Sequence, residues 1–255
     1  MIRAFTLLLA VFAAPLAAQE TVVVDLSQNR VAITANYAGS EIFVFGAVKR
    51  ESPLADDIAP LDVAIVVEGP LEHTTVRKKS KTLGIWVNDE SVEFAEAPSF
   101  FTVASTGPLD EILTDGDRRD FAIGLDYVVR RQANEDPDID MQAFSEAVTR
   151  IRVKNGLYSE REGIVNLTAE TLFDASIQLP ANLVEGDYTA RIYLIRDRNI
   201  VADASVGIKV RKEGLERWLY NLAQEQALLY GLLSIFVALV AGYGASEIFR
   251  LLQRR

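Results

Sequence analysis

The sequence EGDYTARIYLIRDRNIVADASVGIKV, residues 185–210, has the pattern of two antiparallel β-strands joined by a tight turn. Apolar side chains alternate with polar ones through its first half, at Tyr188, Ala190, Ile192 and Leu194, which is the two-residue period of a strand with one buried face. The polar segment RDRN follows as the turn, and IVADASVGIKV runs back as the second strand. This pair predicts a mainly β fold built from antiparallel sheets.

The residues around Tyr188 indicate which type of β fold to expect. In EGDYTARIY the tyrosine enters its strand in a way that resembles the tyrosine corner of immunoglobulin-like sandwiches, where a tyrosine stands two residues before the second bridging cysteine. Ala190 occupies that cysteine position, and the chain contains no cysteine. The resemblance implies an immunoglobulin-like β-sandwich that is stabilised by a hydrophobic core and not by a disulfide.

Residues 19–107 carry the same β pattern. Short segments rich in β-branched and aromatic residues, among them LDVAIVVEGP, TTVRKK and LGIWV, are separated by Gly, Pro, Asn and Asp, and so many strands without intervening helices favour an antiparallel sandwich. The segment WVNDESV predicts a hairpin with Asn88 and Asp89 at its turn. Because the β pattern returns over residues 161–212, we expect two sandwich regions, one from each segment.

A helical insertion, residues 108–160, interrupts the β pattern. Phe144 and Val148 belong to an apolar stripe with i, i+3, i+4, i+7 spacing, which predicts an amphipathic helix. Asp140 is placed to cap this helix, and Gly156 is placed to end it.

An uncharged apolar segment, residues 226–246, lies near the C-terminus. At about 1.5 Å of rise per residue it extends about 31 Å, which matches the hydrocarbon core of a bilayer. The preceding juxtamembrane segment, residues 213–225, carries Trp218 and Tyr220 as expected interfacial anchors, and the basic tail, residues 247–255, is expected in the cytoplasm. The segment predicts one C-terminal transmembrane helix.

The N-terminus has the composition of a secretory signal peptide, residues 1–18. It combines Arg3, a short apolar stretch, Pro15 and small residues before the predicted cleavage site between Ala18 and Gln19. Cleavage would leave a single-pass membrane protein whose large N-terminal region is exported and whose short C-terminal tail stays in the cytoplasm. The alternative is an uncleaved signal anchor, which would add a second span.

The chain is acidic, with 36 Asp and Glu residues against 26 Lys and Arg residues and a net charge of −10. This charge argues against a nucleic-acid partner. Arg77, Lys78, Lys79 and Lys81 form one dense basic patch on this acidic background, which predicts a surface for an anion or an acidic partner. The alternative is that lysines on an edge strand discourage aggregation between sheets.

The sequence offers no catalytic or cofactor motif. His73 is the single histidine, so a catalytic triad or a zinc site has no basis. In NEDPDID, Asp136, Asp138 and Asp140 alternate as in a calcium loop, but Met141 stands where an EF-hand has its glycine. We predict a protein that is not an enzyme and holds no metal or cofactor; a hydrolase with paired carboxylates is the remaining enzymatic alternative.

Small residues occupy one face of the predicted membrane helix, at Gly231, Ser234, Ala238, Gly242 and Ser246. Inside lipid, close backbone approach along such a face is a main source of helix association. The face predicts contact with another integral membrane protein or with a second copy of this helix. The alternative is a helix that serves only as an anchor.

Several stretches resemble one family: GIWVNDESVEFAEAPSFFTVASTGPLDEI at 84–112, GLYSEREG at 156–163, LPANLVEGDYTARIYLIRDRNIV at 179–201 and ALLYGLLSIFVALVAGYGASEIFR at 227–250. They are similar to the putative transmembrane protein family of alphaproteobacteria, which brings no assigned activity or catalytic residues. The resemblance implies an inner-membrane protein facing the periplasm and, through an association of the family with sulfite-exporter-type permeases, an accessory role beside a transporter. A periplasmic ligand- or ion-binding sensor with a passive anchor is the alternative function.

Overall fold

The computed structural model describes residues 20–34, 37–50, 58–129, 140–212 and 215–253. The predicted signal peptide and most of the acidic run NEDPDID lie outside these residues. The strands are β1 (Glu20–Leu26), β2 (Arg30–Ile33), β3 (Ser40–Arg50), β4 (Leu61–Glu68), β5 (Leu71–Thr82), β6 (Ile85–Pro98), β7 (Phe101–Ser105), β8 (Tyr158–Arg161), β9 (Asn166–Thr168), β10 (Leu172–Leu179), β11 (Gly186–Arg196) and β12 (Asn199–Lys212). The helices are α1 (Leu109–Ile112), α2 (Asp115–Asp120), α3 (Met141–Lys154), α4 (Leu215–Glu225) and α5 (Ala227–Gln253).

Two sheets form a β-sandwich. Sheet A has the order β1-β3-β10-β9, and sheet B has the order β2-β12-β11-β4-β7-β8. Most neighbours are antiparallel, while β2 runs parallel to β12 and β8 runs parallel to β7. The orders β1-β3-β10-β9 and β4-β11-β12 are those of the ABED and CFG sheets of an immunoglobulin sandwich.

The two β segments of the sequence share both sheets. In sheet A, β3 from the first segment pairs with β10 from the second, for example Ile42 opposite Ile177. In sheet B, β4 pairs with β11, for example Ile65 opposite Ile192. The expectation of two separate sandwiches is therefore wrong, because neither segment contains a complete sheet without the other.

The tyrosine corner is present at the start of β11. The Tyr188 hydroxyl donates a hydrogen bond to the Val184 carbonyl oxygen over 2.8 Å, and the ring is buried against Phe100. Ala190 is fully buried at the position of the absent cysteine. The corner thus forms without a disulfide, as the sequence pattern predicted.

Strand β4 is buried on both faces. Val63 and Ile65 point into the core between sheets A and B, whereas Ala64 and Val66 belong to a second core on the opposite face of sheet B. A strand covered on both sides has no need for polar residues at alternate positions. This double burial explains the nearly continuous apolar sequence LDVAIVV.

The helical insertion covers the second face of sheet B. Phe144 and Val148 of α3 are buried in the second core, as the apolar stripe predicted. The Asp140 carboxylate accepts a hydrogen bond from the Ala143 amide at the start of α3, which confirms the predicted cap. Gly156 has a φ of 72° just beyond the helix, the left-handed conformation expected of a glycine that ends a helix.

Strands β5 and β6 form a long two-stranded hairpin of 12 and 14 residues. Its turn consists of Leu83 and Gly84, which have φ values of 52° and 90°. The predicted turn at Asn88 and Asp89 is wrong: Asn88 pairs with Lys79, the next pair on that strand is Glu90 with Lys78, and Asp89 is the extra residue of a β-bulge.

A cluster of ionic side chains joins the ends of both sheets. The Glu20 carboxylate accepts hydrogen bonds from Arg50 at 2.8 Å and from Arg196 at 2.9 Å, and its side chain is only 6% exposed. Burial by itself raises the pKa of Glu20, but the two guanidinium groups outweigh that effect and hold the pKa below its ordinary value. The more exposed Glu170 carboxylate lies 3.8 Å from Arg50 and 3.6 Å from Arg196.

Helix α5 contains the one segment of the described residues that is long and apolar enough to cross a membrane, Ala227–Ser246. None of this segment is buried by the rest of the chain. Backbone hydrogen bonds from Gln226 to Leu222 and from Tyr230 to Gln226 continue the helical pattern between α4 and α5. The structure therefore has the predicted order of a β-sandwich, a helical insertion and one C-terminal apolar helix that is long enough to span a membrane.

Candidate functional site

The base of the β5–β6 hairpin is fixed to the sandwich. Val76 and Val92 face each other and are buried in the second core. From α3, the Arg152 guanidinium donates hydrogen bonds to Glu72 and Thr74 on β5, at 3.3 and 3.0 Å. These contacts hold the first half of β5, up to Val76, and leave the rest of the hairpin outside the core.

The outer part of the hairpin, residues 77–91, carries the predicted basic patch and is named here the cationic hairpin. Arg77, Lys79 and Lys81 alternate along β5 and therefore share one face. Their partners on β6 are the neutral residues Ser91, Asn88 and Trp86. Within the described part of the chain these three cations form no ion pair, so the face keeps its positive charge.

Lys78 lies on the other face of the same strand. Its ammonium group is 3.2 Å from the Glu90 carboxylate, and both side chains are exposed. An exposed pair of this kind contributes little to stability because water and salt screen it. The structure thus divides the four predicted residues into three uncompensated cations on one face and one paired cation on the other.

The tip of the cationic hairpin is apolar and exposed. Leu83 is 100% exposed, Ile85 is 65% exposed and Trp86 is 69% exposed. Leu83 also has a positive φ, a conformation that leucine adopts at a cost of about 1–2 kcal/mol. The sequence pattern LGIWV predicted an ordinary strand here, and Gly84 was its one residue with a preference for turns.

A second exposed surface, on the outer face of sheet A, combines apolar side chains with carboxylates, and we name it the acidic face. Its residues lie in rows that cross β1, β3 and β10. The first row is Val23, Ala47 and Leu172, the second is Asp25, Phe45 and Asp174, and the third is Phe43 beside Ser176. The apolar members are 41% to 61% exposed, except the smaller Ala47. Phe45 is thus flanked by a carboxylate on each side, and Glu41 follows on the same face of β3.

The small-residue face of α5 is regular in the structure. At 100° per residue, Gly231, Ser234, Ala238, Gly242 and Ser246 fall within an arc of about 120°. A Cβ atom added at Gly231 or Gly242 would meet no atom within 4 Å. The Ser234 hydroxyl donates to the Tyr230 carbonyl over 2.8 Å, so its polarity is satisfied within the helix.

Helix α4 carries Trp218 and Tyr220, which are 53% and 65% exposed. It precedes the apolar segment by one residue and is amphipathic by sequence, as predicted for the juxtamembrane segment 213–225. Its aromatic side chains are suited to the boundary between hydrocarbon and water.

An open groove of about 840 Å³ lies where β8 meets the start of β3 and the end of β10. Its lining includes Ala38, Glu160 and Arg161. The Glu160 carboxylate accepts from the Leu125 amide, and Arg161 donates to Gln178. The charged groups of the groove are therefore already bonded to the protein itself.

Among the described residues no three His, Asp or Glu side chains form a group able to hold a metal. His73 is exposed on β5, and Asp136 and Asp138 lie outside the described residues. Tyr158 donates its hydroxyl to the Pro98 carbonyl over 2.7 Å, and burial raises the pKa of this phenol far above its ordinary value, so it stays protonated.

Comparison with known proteins gives one family. The family model described as "Putative transmembrane protein (Alph_Pro_TM)" matches residues 21–251 of the chain. Among solved structures, the crystal structure of Spo0M, a sporulation control protein from Bacillus subtilis, matches with 10% sequence identity and a TM-score of 0.29. That match covers 83% of this chain and 56% of the Spo0M chain, and so loose a likeness carries no argument. No curated protein matches the chain.

Proposed function

Because the chain belongs to the putative transmembrane protein family, we propose that it is a non-enzymatic accessory subunit of a membrane complex. In this proposal α5 spans the bacterial inner membrane once, the sandwich lies in the periplasm and the short tail lies in the cytoplasm. The partner is another integral membrane protein, such as a permease, which contacts the small-residue face of α5. A protein of this design acts by binding and positioning and needs no catalytic group of its own.

The observation that carries this proposal is the open space beside the glycines of α5. No part of the apolar segment is buried by the described residues of the chain, and Gly231 and Gly242 have nothing within reach of an added Cβ. A neighbouring helix could therefore approach the backbone closely along this face, which is the usual geometry of helix association in lipid. Self-association of α5 would use the same face.

A matched pair of substitutions tests the helix contact. Gly242→Ile fills the small-residue face, whereas Gly244→Ile adds the same volume about 200° around the helix, where a Cβ also meets nothing within 4 Å. Full-length protein is purified from native membranes in mild detergent, and the bound integral membrane protein is quantified. Because the isoleucine side chain would prevent close approach of the two backbones, we expect Gly242→Ile to lower the bound partner roughly tenfold, which corresponds to a loss of about 1.4 kcal/mol of contact energy.

Gly244→Ile should retain the partner at the level of the unchanged protein. Equal recovery of the partner with both variants would show that the small-residue face is not the contact. If the variants differ but the bound chain is a second copy of this protein, the face serves self-association and the accessory role is overturned.

The groove beside β8 favours a second candidate function, a periplasmic ligand- or ion-binding sensor with a passive anchor. Its test is the thermal unfolding of the full-length protein in detergent across a panel of small solutes and divalent metals. A ligand of the groove should raise the unfolding temperature of the unchanged protein but not that of Ala38→Trp, which places an indole in the groove lining. No shift across the panel would count against the sensor.

A further inference from the structure

The cationic hairpin and the acidic face are complementary surfaces of the same chain. We propose that the hairpin of one copy docks on the outer face of sheet A of a second copy. This contact goes beyond the helix contact of α5, because it uses the sandwich and requires no residue of the membrane segment.

The hairpin has the form of an inserted element. From the last buried pair, Val76 and Val92, to Leu83 the strand continues for seven residues, which at about 3.3 Å each is about 23 Å. Over this length β5 and β6 pair only with each other in the described structure. The apolar tip is therefore presented at the end of a narrow two-stranded ribbon.

The charge of the hairpin is opposite to that of the remaining chain. Residues 77–91 contain four basic side chains (Arg77, Lys78, Lys79, Lys81) and two acidic ones (Asp89, Glu90), a net of +2 in a chain of net −10. On the face that carries Arg77, Lys79 and Lys81, no carboxylate lies directly across the ribbon. An acidic surface with apolar residues at its centre would satisfy both the cations and the tip.

The acidic face has both properties, because carboxylates and apolar side chains lie in neighbouring rows of the same sheet. Phe45 lies between Asp25 and Asp174 in one row across three strands, and the next row is apolar throughout, from Val23 to Leu172. The Asp25 and Asp174 carboxylates form no ion pair within the described residues; Asp174 accepts only from the Asn166 amide. Lys49 is the one cation of β3 on this face, at its far end.

The conformation of Leu83 supports a binding role for the tip. A leucine with a positive φ and a fully exposed side chain lowers the stability of the hairpin and gains no packing within its own chain. Contact with Val23 and Leu172 of a second copy would bury this side chain. Because the hairpin and the acidic face are different surfaces, a pair of copies either docks both reciprocally about a two-fold axis or docks one and leaves one of each free.

Cross-linking of single cysteines tests the contact directly, because the chain has no cysteine of its own. Two differently tagged full-length copies, one with Leu83→Cys and one with Val23→Cys, are reconstituted together in liposomes and oxidised. We expect a mixed dimer carrying both tags. The matched control replaces Val23→Cys by Val201→Cys, an exposed valine of similar exposure on β12, and should give only the background yield.

Charge reversal distinguishes docking from chance collision. Lys79→Glu with Lys81→Glu on the Leu83→Cys copy should lower the mixed dimer about tenfold at low salt, since like charges then meet. Charge reversal on the acidic face, by Asp25→Lys with Asp174→Lys on the Val23→Cys copy, should restore the yield of the mixed dimer. All these positions are at the surface, and circular dichroism would verify that each variant retains its β structure.

Three results would overturn the proposal. One is a yield with Val23→Cys no higher than with Val201→Cys, and another is a yield that reversal of Lys79 and Lys81 leaves unchanged. The third is quenching of Trp86 fluorescence by brominated lipid in a Trp218→Phe background, which would assign the hairpin to the membrane surface. Gly242→Ile should not change the mixed dimer, so failure of the helix contact and failure of this contact can be told apart.

Discussion

The carboxylate of Glu20 is expected to be a main source of stability in the sandwich. Its side chain is 6% exposed and bonds Arg50 from β3 and Arg196 from β11, so it joins sheet A to sheet B. Glu20→Gln would leave two guanidinium groups, 15% and 12% exposed, with only the more exposed Glu170 carboxylate, at 3.8 and 3.6 Å, as a shared anion. Removal of one partner from a buried ion pair costs about 3–5 kcal/mol, and the partial exposure here favours about 3 kcal/mol.

For a domain of this size, about 3 kcal/mol lowers the unfolding temperature by roughly 6–12 °C. The measurement is thermal unfolding of the full-length protein in detergent, followed by the β signal in circular dichroism. Glu170→Gln is the matched control, because Glu170 is 38% exposed and lies further from the same two arginines, so its loss should cost about 0.5 kcal/mol. Equal effects of the two substitutions would refute the reasoning.

The pH dependence gives a second readout of the same cluster. The pKa of Glu20 is lowered in the folded protein, so the stabilisation is present above the ordinary pKa of 4.5 and is lost as pH falls through the lower folded pKa. The difference in unfolding temperature between the unchanged protein and Glu20→Gln should therefore be full near pH 7 and should shrink well below pH 4.5. A difference that stays constant down to pH 3 would contradict the charge-based account.

Two further predictions concern the packing of the sandwich. Gly46→Ala should destabilise the protein by about 1–3 kcal/mol, because its Cβ would lie 2.4 Å from the Phe173 ring, whereas Gly207→Ala, with nothing within 4 Å, should be neutral or slightly stabilising. Tyr188→Phe should cost about 1 kcal/mol through loss of the hydrogen bond to the carbonyl of Val184, a residue that is 38% exposed. Denaturant unfolding measures the free energy of unfolding of each variant. Equal costs for Gly207→Ala and Gly46→Ala would contradict the packing argument at Gly46. An unchanged free energy of unfolding in Tyr188→Phe would contradict the contribution of its hydrogen bond.

Local sequence patterns predicted the elements better than their pairing. The alternation through β11 and β12 and the stripe of α3 were sufficient for those elements, because each depends on contacts close in the chain or on one buried face. The pairing of β3 with β10 joins residues such as Ile42 and Ile177, and nothing in either segment alone records it. This is why one sandwich was taken for two.

The turn of the cationic hairpin was misplaced for a related reason. Asn88 and Asp89 have the residue types of a turn, but the same types are tolerated at a bulge, where Asp89 is the unpaired residue. Leu83 and Gly84 form the turn instead, with leucine at a position that turn preferences assign to Asn or Gly. The four basic residues could be located from the sequence because charge is visible without knowledge of pairing, but their division between two faces could not, and their role as a binding surface stays a prediction.

The acidic face could not be predicted from EIFVFGAV. Ile42 and Val44 point into the core, whereas Phe43 and Phe45 point outward, and all four are apolar, so the sequence does not show which face is buried. Only the register of β1, β3 and β10 places Asp25 and Asp174 on either side of Phe45. Surfaces of this kind require the sheet before they can be recognised.

The proposed contacts use side chains that the fold does not need. Leu83 and Trp86 are exposed at the end of the hairpin, and Gly242 has open space beside it, while the two cores are complete without them. A substitution at these positions should therefore remove a contact and leave the sandwich folded. In contrast, substitutions at Glu20 or Gly46 should lower the unfolding temperature and weaken all contacts together, because they act on the stability of the fold. Loss of one contact with an unchanged unfolding temperature is thus the result that identifies a binding surface in this protein.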